Sequence, residues 1–554
     1  MAASRRPRSA TIESPWQAAD ELRRAATEAH RAGRVSRRDL LRYLAALGLS
    51  GAGGAAAHAQ TPPGRAGATV RIASLTPTGS VDPLQLSDPA GIGLVCQTCE
   101  YLIEDDAEAL RLRPSLALAW YPDATGRIWT FHLRPGVRFH DGTPMRARDV
   151  VAAFDRLTDP ASGSAGLSVM KGVLSKGGTR ARDDLTVIFE LDAPNGNFPY
   201  YVSSDNYNAA ILPAHAHADF ERHFTGTGPF RLERYTPKVG ASFVRNPDYW
   251  NAPVLPARVE FLFYADQQAQ MLALRGGDAH AMVDFTALNG RGLLHDPRYR
   301  VQRVRSSSHR QLHMRTDRGP FADARVRRAL ALAIDRQAIV DGMFLGRAEA
   351  GADHPFASVF PATPAGLPPR HRDLDTARRL LAEAGHARGL AATLSTETYM
   401  ELPDYAVLIQ DAAKSIGIDL TLRVETQAAY YGSASYGQSD WLDAPLGLTD
   451  YGHRGVPNLF LDAPLTSGGA WNGAHFRNSH YDDLVRRFAA ALPLEAQQSL
   501  AREIVALLQV ETPLIIGYFY DGLALMRSEL RGFAFTALSH VWLRQAWLAA
   551  PGRV

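Results

Sequence analysis

At 554 residues, with 46% hydrophobic and 21% charged side chains, the chain is long enough for two or more domains with their own cores. That apolar fraction excludes a wholly disordered or fibrous protein, and two cysteines exclude a disulfide scaffold or an iron–sulfur protein. A formal net charge of +3 admits a nucleic-acid or membrane partner, depending on where the basic residues sit.

They sit at the start. Residues 1–59 hold ten Arg and no Lys against five acidic residues, which leaves 50 basic and 52 acidic side chains in the rest. The hint of nucleic-acid binding goes with that leader. Within it, Ser36-Arg37-Arg38-Asp39-Leu40-Leu41 precedes a Gly/Ala-rich apolar run from Tyr43 to Ala57, closed by Ala57-His58-Ala59 before Gln60. Basic, apolar and small-residue segments in that order mark a secretory signal, and the paired arginines resemble a twin-arginine signal. The run is too short and glycine-rich to span a bilayer, which takes about 20 apolar residues. No later stretch approaches that length, and no cysteine stands at the cleavage point to take a lipid. The expectation is a soluble periplasmic protein beginning near Gln60, exported with a signal peptide and not lipid-anchored.

After a Pro/Gly linker from Thr61 to Gly67, short strands and amphipathic helices alternate. Trp129, Phe131 and Leu133 alternate with polar residues, as do Leu185, Val187, Phe189 and Leu191, which predicts half-buried strands. Between them Asp149 is placed to cap a helix carrying Val150, Phe154 and Leu157. Thr227-Gly228-Pro229 leads into two further strands, Phe230–Tyr235 and Ala241–Arg245. Val326, Ala329, Leu330 and Ala333 keep the spacing of a core-facing helical stripe. Asp375 precedes a second helix through Ala377, Leu380, Leu381 and Ala384, with Gly385 as its C-terminal cap. Pro403 opens a helix that stops at Gly417, and Ile418, Leu420, Leu422 and Val424 then alternate as a strand. Helix followed by strand in this way argues for an α/β fold.

Catalytic signatures are sparse. Gly91-Ile92-Gly93 begins a dinucleotide fingerprint but Cys96 stands where its third glycine belongs. There is no phosphate-binding loop and no Gly-x-Ser-x-Gly elbow. Cys96 and Cys99 form Cys-x-x-Cys without a thioredoxin-like surrounding or two further zinc ligands, so they read as a local structural disulfide or two buried thiols. His215, His217 and His223 make the best metal-like cluster, and solvated helix histidines account for them more simply. His140 beside Asp141 is not an acid–base pair, because adjacent residues rarely face each other, and Asp141-Gly142 belongs to a turn. No metal and no cofactor are expected.

Five segments in order carry a resemblance. They are Arg127 to Pro144 running into Arg148-Asp149-Val150-Val151; Gly226-Thr227-Gly228-Pro229-Phe230 with Arg245-Asn246-Pro247-Asp248-Tyr249-Trp250; Asp323 to Ala329 with Ala333-Ile334-Asp335-Arg336; Ala377 to Gly385; and Tyr481-Asp482-Asp483-Leu484. Over residues 68–535 the chain resembles the periplasmic peptide/nickel-type substrate-binding proteins of ABC importers, the dipeptide- and oligopeptide-binding-like solute-binding proteins of family 5. The resemblance implies a two-lobe α/β periplasmic-binding-protein fold whose ligand is trapped between lobes by hinge closure. Lobe I would be 60–308 completed by 518–554, and lobe II 309–517, with crossings near His309–Arg315 and Ile515–Phe519. It implies a monomeric binding protein rather than an enzyme, serving an ABC permease.

The resemblance also places the site. In peptide-binding members an aspartate of lobe II pairs with the ligand's α-ammonium, and Asp450 matches it. A carboxylate in a closing cleft gains a charge-assisted hydrogen bond from an ammonium; a solvated turn aspartate is the plainer reading. The family's Trp before this position and Asp-Pro after it are replaced by Leu448 and His453-Arg454-Gly455. Tyr430, Trp441, Tyr451 and Trp471 crowd the same stretch and are expected either to line the cleft or to pack in the core, with Trp471 projecting from a loop after Gly468-Gly469. A peptide or amino-acid derivative is the implied ligand; a nickel chelate, opine, glutathione or oligosaccharide is the alternative within the fold. The rival from another class is an exported redox or hydrolytic enzyme.

Overall fold

The computed structural model describes residues 67–106, 109–215 and 220–549; the leader and His217 lie outside the described residues. Two mixed sheets organise the chain. The first has seven strands in the order Tyr299–Val304, Gly522–Arg527, Ala281–Val283, Thr69–Leu75, Arg258–Tyr264, Gly240–Arg245 and Phe230–Thr236. Thr69–Leu75 runs parallel to both its neighbours, and the outer pairs are antiparallel. A four-stranded antiparallel sheet (Ala117–Pro122, Ile128–Leu133, Thr186–Glu190, Thr179–Asp183) and the helix Ala147–Leu157 share its hydrophobic core.

The second sheet has six strands in the order Ala348–Ala350, Leu514–Tyr520, His309–Met314, Leu446–Tyr451, Leu390–Glu397 and Ile418–Glu425, with cores of its own against helices Ala324–Ala333, Leu402–Lys414 and Leu494–Glu511. The chain passes from the first sheet to the second through residues 305–308 and returns at Asp521. The segments in which crossings were expected, His309–Arg315 and Ile515–Phe519, are instead central strands of the second sheet, because both are buried on both faces. The return therefore falls beyond the expected 517/518 boundary.

Local expectations differ in detail at the caps. Arg146, not Asp149, is the N-cap residue of Ala147–Leu157; Asp149 sits three residues in, where its carboxylate accepts the Arg146 N–H at 2.8 Å. It also takes the N–H of Ala214 at 2.9 Å, tying a distant loop to the helix start. Likewise Asp373 caps Leu374–Glu383, with Asp375 in its first turn, and Gly385 past its end has φ +88°.

The aromatic pair Tyr249-Trp250 has a definite partner. Both donate to the carboxylate of Glu100, each at 2.7 Å, and Thr227 Oγ1 donates to it at 2.7 Å. Glu100 is buried, and burial pushes its carboxyl up to about 7. The Gly-Thr-Gly-Pro turn, the Asn-Pro-Asp-Tyr-Trp turn and the segment after the first helix thus meet on one buried carboxyl.

Seven histidines are held neutral by burial: His140, His280, His309 and His354 at about 4, and His313, His453 and His540 at about 3. Each adds stability that is present above the unfolded value near 6.5 and is lost as pH falls toward the folded one. Burial has the opposite effect on carboxyls, raising Glu100 and Asp205 to about 7 and Asp284 and Asp521 to about 6. Asp82 and Asp105 are also raised. Those contribute stability below the ordinary carboxylate value and lose it as pH rises through 6–7. Seven strongly moved imidazoles outweigh four strongly moved carboxyls, so the thermal midpoint is expected to fall steadily from pH 6.5 to pH 4.5. Calorimetry across that interval checks it; a rising midpoint would reverse the ranking.

Candidate ligand-binding cleft

Strand register creates the centre of the site. His309–Met314 and Leu446–Tyr451 pair antiparallel, with Arg310 directly opposite Asp450 and His309 opposite Tyr451. Cross-strand partners share a face and successive residues alternate faces. Arg310 and Asp450 therefore meet on the side turned to the other lobe, while His309 and Tyr451 stack on the opposite side with rings 5.4 Å apart.

Arg310 is fully buried, which requires its charge to be matched. Glu401 supplies the match: Nε donates to Oε1 at 2.8 Å and Nη2 to Oε2 at 3.0 Å, a bidentate pair. Glu401 is the N-cap residue of Leu402–Lys414, yet its side chain makes no cap bond and reaches Arg310 instead. Nη1 pairs with Asp450 Oδ1, and the Tyr520 hydroxyl donates to the same oxygen at 3.3 Å. The guanidinium also lies over the Tyr520 ring at 4.5 Å and near the Tyr399 ring at 5.6 Å. Because Glu401 takes the guanidinium in bidentate fashion, Asp450 is oriented by Arg310 but not neutralised. Its Oδ2 has no donor among the described residues, and its side chain remains 24% exposed.

These groups form one wall of a cleft of about 640 Å³ between the two sheets, a volume suited to a small ligand. Lobe II adds Met343, Phe344 and Met400; lobe I faces them with Ile92, Asp284, Phe285, Leu288, Leu538 and Ser539. Near the crossing, Ser307 N–H donates to His453 Nδ1 at 3.0 Å, and Gly455 N–H donates to the buried carboxylate of Asp205 from lobe I at 2.5 Å. The loop after Asp450 is thereby tied to both the hinge and the opposite lobe.

Of the five ligand-binding residues expected from the sequence, Asp450 alone lines this cleft. Tyr430, Trp441, Tyr451 and Trp471 pack in a chain with Tyr431, with ring separations from 5.3 to 6.3 Å. Trp471 rests on Trp441 and Tyr451 rather than projecting into the cleft. For Tyr451, face alternation is the reason: a strand that presents Asp450 to the cleft turns Tyr451 away. The disulfide expected as one reading of Cys96 and Cys99 is not formed. Both are buried free thiols, Cys96 Sγ lying 3.5 Å from the Val541 carbonyl, and burial pushes Cys96 up to about 12 and Cys99 higher still. Neither has the character of a reactive thiol. His215 pairs with Asp141 at 3.1 Å, and among the described residues no three His, Cys, Asp or Glu side chains could hold a metal ion.

Arg310, Glu401, Tyr520 and Asp284 were missed from the sequence. One signal was available: an arginine inside His309–Met314, a strand with no exposed residue, has to find a partner.

Two lobes, two crossings and a polar-centred cleft between them define a solute-binding protein of the large periplasmic type. The chain belongs to the bacterial extracellular solute-binding proteins, family 5, whose middle-region description matches residues 111–461. It is 26% identical over 488 residues to the periplasmic murein peptide-binding protein MppA of Escherichia coli, covering 82% of this chain and 88% of that one. It is 24% identical over 466 residues to heme-binding protein A of Haemophilus influenzae, covering 79% and 84%. A solved nickel ABC transporter structure from Bacillus halodurans superposes with a TM-score of 0.72 at 25% identity, covering 87% of this chain and all of that one. Among the described residues, no helix is long and apolar enough to cross a membrane.

Proposed function

We propose that this protein captures a peptide or amino-acid-derived ligand between its lobes outside the cytoplasm and delivers it to an ABC import permease, without chemical turnover. The observation that carries the reading is the division of labour at Arg310. Glu401 absorbs the guanidinium, so Asp450 is left as a rigidly held carboxylate with an open oxygen facing the cleft. An α-ammonium is the natural partner for it. The murein-peptide binder among the relatives supports a peptide-like ligand, whereas the heme-binding and nickel relatives mean that family membership alone does not choose it. The buried thiols, held protonated, give the rival redox reading no nucleophile.

Closure on the ligand would bring the lobe surfaces into the arrangement that a permease recognises, using binding energy to shift the open–closed population. The paired arginines of the leader support delivery to the periplasm by the twin-arginine route, as a soluble monomer.

The test is direct. Purified protein should show ligand-induced thermal stabilisation with short peptides and no product formation. Asp450→Asn is expected to weaken binding of free-amine peptides about 10- to 100-fold, the worth of one charge-assisted hydrogen bond. N-acetylated peptides should bind weakly to the unaltered protein. If acetylated and free peptides bound alike, Asp450 would not be an ammonium site.

A further inference from the structure

The cleft holds a second carboxylate, on the opposite lobe. Asp284 follows the lobe I strand Ala281–Val283 and adopts φ +57°, a left-handed conformation unusual for a residue other than glycine. Such backbone strain tends to persist where a side chain must be aimed. The Gln267 side-chain amide anchors its backbone carbonyl at 2.9 Å, and the Ser539 hydroxyl hydrogen-bonds its carboxyl. No cation among the described residues is paired with it. Burial raises it only to about 6, so it is ionised at neutral pH. Asp284 lines the cleft from lobe I, and Arg310, Tyr399 and Tyr520 line it from lobe II.

Charge balance in the cleft shows what is left over. Arg310 is matched by Glu401, and Asp521 pairs with Arg303. Asp450, Asp284 and Asp404 remain, against the guanidiniums of Arg347 and Arg454, a surplus of one negative charge. A plain dipeptide, with one ammonium and one carboxylate, would leave this surplus uncompensated in a closing, partly dehydrated site, which is costly.

We propose that Asp284 is the lobe I half of the recognition site, and that the ligand is a peptide or amino-acid derivative carrying a second cationic group, such as a lysine, arginine or other diamino side chain. The ligand then bridges the lobes, its α-ammonium on Asp450 and its second cation on Asp284, while Arg347 takes a carboxylate. Such bridging makes closure depend on both charges. This rests on the Asp450 reading above.

Calorimetric titration with matched di- and tripeptides, each with lysine at one position exchanged for norleucine, tests it. Norleucine keeps the α-ammonium and nearly the same chain length but removes the second charge. In the unaltered protein the best lysine peptide is expected to bind about tenfold or more tightly than its norleucine partner. Asp284→Asn, which keeps the shape and tolerates the left-handed backbone, should bring that ratio close to one, with the thermal midpoint of the free protein confirming that the variant folds. Equal binding of lysine and norleucine peptides to the unaltered protein, or an unchanged ratio in the variant, overturns the role of Asp284 while leaving the Asp450 reading standing. Failure of every free-amine peptide to bind would overturn both.

Discussion

Arg310→Ala is expected to lower folding stability by about 3–5 kcal/mol, the cost typical of removing one member of a buried ion pair. The loss has three sources. Glu401 is left without the guanidinium that takes both its oxygens, and among the described residues only the Tyr518 hydroxyl, donating at 3.1 Å, still reaches it. Asp450 loses its orienting partner, and the slot beside Tyr520 and Tyr399 empties. Most of the penalty comes from the stranded Glu401 charge, because Asp450 can hydrate through the cleft. Arg310→Lys should recover little, since an ammonium cannot reproduce the bidentate fork. Arg310→Met combined with Glu401→Leu should recover much of the loss, because an apolar replacement of the pair leaves only Asp450 unmatched, and Asp450 can hydrate through the cleft. Chemical denaturation of the three variants checks this. A double variant no more stable than Arg310→Ala would show that packing, not charge, dominates.

Glu100→Ala is expected to cost about 3 kcal/mol or more, for a different reason. Truncation leaves one buried donor, from Thr227, and two part-buried ones, from Tyr249 and Trp250, without their acceptor, and a stranded buried group costs about 1–3 kcal/mol. Some donors will find water, which keeps the sum below the maximum. Glu100→Gln keeps one acceptor oxygen and should lose roughly half as much. Trp250 fluorescence provides a local reading, because its indole N–H bonds Glu100 and its ring carries the Arg134 guanidinium at 4.5 Å. Unfolding that left both variants as stable as the parent would mean that water substitutes fully at this junction.

The two expectations differ in how legible their residues were. Glu100 has no signal of its own, but its partners lie in segments that stood out as Gly226–Phe230 and Arg245–Trp250. Arg310 was visible as an oddity in a buried strand, yet nothing local named Glu401, 91 positions away. Helices and strands followed from periodicity wherever one face is wet, as in Ile128–Leu133 and Leu374–Glu383. The crossings were displaced because His309–Met314 and Leu514–Tyr520 are buried on both faces, so periodicity carries no information there about where a lobe ends.

The sequence by itself determined the family and the α/β character, and singled out Asp450. Each of these rests on short runs of residues whose order is the evidence. Only the tertiary structure decided what surrounds Asp450. Antiparallel register set Arg310 against it, sheet order brought Tyr520 alongside, and lobe I contributed Asp284 to the same cleft. Tyr451 went to the other face of the Asp450 strand, and Tyr430, Trp441 and Trp471, outside that strand, pack in a separate cluster. Proximity along the chain does not survive the alternation of faces in a strand, and the partners of a buried charge are chosen by register and packing among segments that the sequence keeps far apart.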